Sequence, residues 1–83
     1  MSLPGYLEDV ARVVARGLDA ADWPAVGEAI AEGQALAAGL DHPSRPAWLR
    51  LGALYSVVAT VKHDRIPAAD ELRRELSALR GNG

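Results

Sequence analysis

The sequence of 83 residues has no cysteine, no phenylalanine and a single methionine. Without cysteine, disulfide bonds and thiolate metal ligands are excluded. Only 5% of the residues are aromatic, so the core must consist mainly of leucine, valine and alanine, which lets helices approach one another closely. A chain of this length forms one domain that buries about 60–65% of its unfolded surface, so we expect modest stability or help from a partner.

Basic charge and long apolar runs are also scarce. The net charge of −2 argues against nucleic acid as a partner, because nucleic-acid binding needs a basic surface. The longest uncharged run, Leu51 to Val61, is far shorter than the ~20 residues that a bilayer requires. The sequence does not begin with a basic region followed by an apolar one, so we expect no membrane partner and a cytoplasmic location. The many arginines, alanines and glycines are typical of a GC-rich bacterial genome.

Regularly spaced prolines predict four helices. Each follows a capping-type side chain by two or three residues and precedes an apolar-periodic run, as the first turn of a helix does. These prolines are Pro4, Pro24, Pro46 and Pro67. We therefore predict a single all-α domain over residues 1–83, built of short antiparallel helices in two hairpins. The predicted helices span about residues 3–19, 23–38, 46–62 and 67–80.

The third helix is the most apolar and is predicted to be the one around which the others pack. Its core face carries Trp48, Leu51 and Tyr55. Its opposite face offers no charge to hold it in water, so we predict that this face is an interface, most simply in a two-fold homodimer. The candidate interface residues are Leu49, Ala53, Ser56 and Thr60. The alternative is that the third helix is covered on both sides within one chain.

The second and fourth helices carry further signals. Gly27 and Gly33 each cost the second helix about 1 kcal/mol relative to alanine, so either another backbone approaches closely there or the helix is locally loose. Gly39 is predicted to stop this helix. In the fourth helix, Leu72 and Leu76 are predicted to lie in the core.

A weak internal repeat supports the two hairpins. A shift of 42 or 43 residues brings prolines, glutamates and aromatic residues onto one another. The pattern Trp48-x-x-Leu51-Gly52-x-x-Tyr55 resembles the first helix of a tetratricopeptide repeat, and Ala68-x-x-x-Leu72 resembles the start of its second helix. The resemblance implies a helical-hairpin scaffold that binds other proteins and performs no catalysis. An up-and-down bundle and a tetratricopeptide-like arrangement both satisfy the predicted fold class.

Two His-Asp pairs are the strongest hints of chemistry. Asp41-His42 and His63-Asp64 resemble metal ligands or general bases. They flank the third helix, whose length of about 24 Å at ~1.5 Å per residue keeps them apart within one chain. We interpret both pairs as loop and cap residues. A metal site shared across an antiparallel dimer is the alternative.

The paired glutamates are interpreted as solvated faces. No Glu-x-x-His motif accompanies them, as it does in carboxylate-bridged metal bundles. The pairs are Glu28 with Glu32 and Glu71 with Glu75. We therefore predict no catalytic residue, no metal site and no cofactor, and we expect that the protein is not an enzyme.

Charge is unevenly distributed along the chain. The segment from Gly17 to Ser44 carries five acidic residues and no basic one, whereas from Arg45 onward seven basic residues face four acidic ones. One interpretation is that neighbouring helices complement each other within the chain. The other is that the polarity orients a partner.

These observations lead to two hypotheses. The first is a non-enzymatic protein–protein interaction module, a small bacterial adaptor or regulatory subunit with a protein partner. The alternative is an accessory protein that binds a small ligand or cofactor in a pocket between helices. Trp23, Trp48 and Tyr55 would line that pocket.

Overall fold

The computed structural model describes residues 3–60 and 65–81, without the side chains of residues 60 and 65–68. The described residues form helices and turns with no strand, so the predicted all-α class is confirmed. The helices are α1 (Gly5–Ala20), α2 (Trp23–Gly39), α3 (Arg45–Thr60) and α4 (Arg65–Leu79). The bounds of α1 and α2, the start of α3 and the end of α4 differ from their expected positions by at most two residues, and the expected end of the third helix at residue 62 lies outside the described residues.

Prolines mark the start of each helix. Pro4 is the N-cap of α1, and the other three of the regularly spaced prolines occupy the second or third position of their helices. Proline fits there because a first-turn N–H has no partner within the helix. Asp22 caps α2, since its carboxylate accepts a hydrogen bond from the N–H of Ala25 at 3.5 Å.

The first two helices end in a left-handed residue. These residues are Ala21, with φ of 54°, and Asp41, with φ of 50°. In both places the N–H of the next residue donates to a carbonyl five residues earlier at 2.9 Å, which is the Schellman pattern. Gly39, the expected stop of α2, is therefore its last helical residue. Asp41 takes the left-handed position, which aspartate tolerates better than most residues.

The helices form an up-and-down bundle. Each helix packs against the next one in sequence, and α1 also packs against α4. The connections are short, with only two residues between α1 and α2, so neighbouring helices run antiparallel. The long-range pairs agree, because Arg80 contacts Glu8 near the start of α1, whereas Arg73 contacts Asp19 near its end.

The core is formed by the apolar stripes that the sequence predicts. Trp48 is the largest fully buried side chain, and Leu51 and Val58 are buried with it. The other helices contribute mainly leucine, valine and isoleucine. Their larger buried side chains are Leu7, Val10, Val14, Leu18, Val26, Ile30, Leu72, Leu76 and Leu79.

Aromatic rings of α3 pack against two glycines of α2. A Cβ atom placed on Gly33 would overlap the six-membered ring of Trp48, and one placed on Gly27 would lie 2.6 Å from the Tyr55 hydroxyl oxygen. The close approach expected at these glycines is therefore present, but side-chain rings of α3 make it, not a backbone. We call this contact the aromatic seam, formed by Gly27, Gly33, Trp48 and Tyr55.

Replacing Gly33 with alanine tests the aromatic seam. Alanine raises helix propensity by about 1 kcal/mol, but overpacking a fixed core typically costs about 1–3 kcal/mol. Because Trp48 is fully buried and has little room to move, the overpacking cost should exceed the propensity gain, and we expect a net loss of up to about 2 kcal/mol in urea unfolding. Gly39→Ala in the same helix is the matched control, since nothing lies within 4 Å of its added Cβ. A Gly33→Ala variant as stable as Gly39→Ala would contradict the seam.

Core and surface positions of α4 should differ sharply in sensitivity. Leu72 and Leu76 are buried, whereas Glu71 is exposed. Each Leu→Ala change should lower the free energy of unfolding by about 2–5 kcal/mol. Glu71→Ala should change it by less than about 0.5 kcal/mol. Chemical denaturation measures the stability of all three variants. Equal losses at the three positions would mean that the core face of α4 has been assigned wrongly.

Candidate interaction surfaces

An apolar stripe runs along the outer face of α3. Leu49 is 54% exposed and Val57 is 49% exposed, and Ala53 lies exposed one turn from each. These three residues, spaced by four, form a continuous row on one helix face, which we call the α3 stripe. Arg45 and Arg50 are the exposed charged residues near its N-terminal end.

The other expected interface residues border the stripe. Ser56 is exposed, and its hydroxyl donates to the Gly52 carbonyl at 3.1 Å, which turns its polar group back toward the helix. The side chain of Thr60 lies outside the described residues. Sequence reasoning missed Val57, although its four-residue spacing from Ala53 was visible in the sequence.

The described residues leave this face in solvent. α3 packs against α2 on one side and α4 on the other, yet Leu49, Ala53 and Ser56 remain exposed. Coverage by two neighbouring helices therefore accounts for the buried face of α3 and not for the α3 stripe.

A groove of about 420 Å³ lies between α3 and α4, beside the α3 stripe. It carries both signs of charge, because Arg50 and Arg74 line it together with Glu71 and Glu75. The Arg50 Nε atom donates to Glu75 Oε2 at 3.3 Å across the helix pair. Mixed, partly paired charges of this kind select no single ligand charge.

A second groove, of about 400 Å³, lies between α1 and α2. Its most exposed apolar side chains are Tyr6, at 48%, and Val13, at 46%. The charged residues that line it are Asp9 and Glu32. We call it the α1/α2 groove. The sequence reading missed it, although Tyr6, Val10 and Val13 make the apolar stripe of α1 wider than one core face needs.

Two of the three candidate pocket residues, Trp48 and Tyr55, pack against glycines of α2, and the third, Trp23, is the first residue of α2. Trp48 is fully buried against Gly33. The Tyr55 hydroxyl donates to the backbone carbonyl of Trp23 at 2.9 Å, which joins the C-terminal half of α3 to the start of α2. None of the three lines one of the grooves described above. Within the described residues, the indole Nε1 of Trp48 is buried without a hydrogen-bond partner.

The first His-Asp pair is part of the loop before α3. His42 Nδ1 accepts a hydrogen bond from the Ser44 N–H at 3.1 Å and lies 2.8 Å from the Ser44 hydroxyl. His63 and Asp64 lie outside the described residues. Among the residues that the structure describes, no group of three or more histidine, aspartate or glutamate side chains is placed to hold a metal ion.

Charge complementarity within the chain joins α1 to α4. Arg80 Nε donates to Glu8 Oε1 at 3.0 Å, and Arg73 lies 3.8 Å from the Asp19 carboxylate. Within the described residues, the acidic side chains of α2 have no such partners. Neither Glu28 nor Glu32 forms an ion pair with any side chain in the described part of the chain.

Comparison with known proteins adds no relative. No family model matches the chain, and neither the curated proteins nor the solved structures contain a significant match. No helix within residues 3–60 and 65–81 is long and apolar enough to cross a membrane. The described part of the chain is thus a small four-helix bundle on which the α3 stripe and the α1/α2 groove are exposed apolar surfaces.

The two tyrosines provide a test of the seam's hydrogen bond. Tyr55→Phe leaves the Trp23 carbonyl without its Tyr55 donor, so it should lower the free energy of unfolding by about 0.5–1.5 kcal/mol. Tyr6→Phe is the matched control, because Tyr6 is half exposed, and it should stay within about 0.5 kcal/mol. Thermal and urea unfolding measure both. Equal stability of the two variants would mean that the Tyr55 hydroxyl contributes nothing to the seam.

Proposed function

We propose that this protein is a non-enzymatic protein–protein interaction module, a small adaptor or regulatory subunit of the bacterial cytoplasm. The α3 stripe is the observation that carries the proposal. The resemblance to a tetratricopeptide hairpin favours the same use, because that scaffold binds other proteins.

The composition of the α3 stripe suits a protein partner. A contiguous exposed apolar patch on a small domain marks an interaction site more often than an isolated apolar residue does. Leu49 and Val57 supply apolar area at the two ends, and the small side chain of Ala53 between them lets another helix approach closely. Burying such area contributes about 25 cal/mol per Å².

A second copy of the chain is the simplest occupant. In an antiparallel pairing of two α3 helices about Ala53, Leu49 of each copy meets Val57 of the other. This pairing also separates like charges, since the two Arg45 residues would lie about 24 Å apart at ~1.5 Å per residue. A parallel pairing would bring them together. We therefore propose a two-fold homodimer through the α3 stripe.

Light scattering after size exclusion tests the homodimer with Ala53→Glu. The wild type should have the mass of a dimer. The variant should be a monomer with an unchanged circular dichroism spectrum, because the new carboxylate would be buried only in the dimer. Ser77→Glu is the control, since it places the same charge on an exposed position of α4 beside α1. It should stay dimeric.

Two results would contradict the proposed dimer. One is a wild type that remains monomeric at high concentration. The other is an Ala53→Glu variant that keeps the wild-type mass while folded. If Ala53→Glu unfolds, Leu49→Gln provides the same measurement at a side chain that the bundle leaves half exposed.

A further inference from the structure

We propose that the α1/α2 groove binds an amphipathic helix with basic flanks, contributed by a protein partner. This inference rests on the proposed function, because it names the chemistry of the partner. It uses a surface that shares no residue with the α3 stripe.

The shape of the groove fits a helix. It runs between two antiparallel helices, with Val10 and Ala29 buried beneath it and Leu36 half buried on the α2 side. Tyr6 and Val13 rise on the α1 side, seven residues and thus about 10.5 Å apart along the axis. An entering helix presents apolar side chains at the same two-turn interval, at positions i, i+3 or i+4, and i+7.

The charge of the groove selects a basic helix. Asp9 stands on the α1 rim and Glu32 on the α2 rim, so an entering helix meets a carboxylate on each side. Glu32 has no ion pair in the described part of the chain, and Asp9 has only an exposed contact with Arg12 at 4.0 Å. Exposed ion pairs of that kind contribute about 0–1 kcal/mol, so both carboxylates are available to cations of a partner.

The same charge disfavours other occupants. Nucleic acid and anionic bilayers would meet two carboxylates beside the apolar floor. The α3 stripe of a second copy lies beside a groove lined by two arginines and two glutamates, so it offers these rims no net positive charge. A separate helix with lysine or arginine beside its apolar face supplies that charge.

A labelled peptide tests the proposal directly. The probe is a fluorescein-labelled helical peptide of about 14 residues, or four turns, with leucine along one face and lysine on both flanks. The control peptide has glutamate in place of every lysine. In anisotropy titrations at low salt, the lysine peptide should bind the wild-type protein saturably, and the glutamate peptide should not bind.

Variants of the protein locate the binding site. Asp9→Asn with Glu32→Gln should weaken binding by at least about fivefold at low salt, and by less at high salt, because it removes only charge. Val13→Asn should weaken binding at both salt concentrations, because it removes apolar contact. Asp70→Asn with Glu71→Gln on α4 is the matched control for net charge and should bind like the wild type. Circular dichroism verifies that each variant is folded.

Three outcomes would overturn the proposal. The first is absence of binding by the lysine peptide. The second is equal binding of that peptide by the groove variants and by the α4 control variant. The third is a Val13→Asn variant whose molar mass falls below that of the wild type. The third would make a second copy the occupant. Ala53→Glu should bind the peptide like the wild type, so failure of the groove and failure of the α3 interface are distinguishable.

Discussion

The fit of Trp48 against Gly33 is the contact on which the rest of the structure depends. The indole is fully buried, and the absence of a side chain at Gly33 is what gives it room beside α2. Tyr55 repeats the arrangement at Gly27, so two points fix both the spacing and the rotation of α3 against α2. Once the aromatic face of α3 is held there, the face with Ala53 must point outward. The exposed α3 stripe is therefore a consequence of how the core is packed.

The contact between α1 and α4 differs from the aromatic seam because charged side chains take part in it. Ion pairs cross it, with Arg80 bonded to Glu8 and Arg73 close to Asp19. The exposed Arg73–Asp19 pair contributes about 0–1 kcal/mol, whereas the Arg80 and Glu8 side chains are about three-quarters buried, and both pairs favour one alignment of the helices. Their larger effect is on the surface charge. The arginines of α4 pair with carboxylates of α1, whereas Glu28 and Glu32 of α2 form no ion pair among the described residues.

The fold was predictable from the sequence because its signals are local. A proline that follows a capping-type side chain marks the start of a helix. Apolar residues spaced by four mark its buried face, as they do for Leu72 and Leu76. The surfaces were harder to predict because they depend on pairs of helices. A helical wheel of α2 alone cannot show that the indole of Trp48 packs against Gly33. A wheel of α1 alone cannot show that Tyr6 and Val13 border a groove whose other wall is α2.

The arrangement of the two surfaces bears on how such a module would work. Among the described residues, the backbone of α1 approaches α2 and α4 closely but not α3, so the α1/α2 groove and the α3 stripe lie on different sides of the bundle. Dimerisation through the α3 stripe would leave the α1/α2 groove of each copy open. A partner with two linked basic helices would then bind the two α1/α2 grooves of one dimer. After the first helix is bound, the second binds at the effective concentration that the linker sets. Avidity of this kind increases binding without any new contact, which suits a domain too small to offer one large interface.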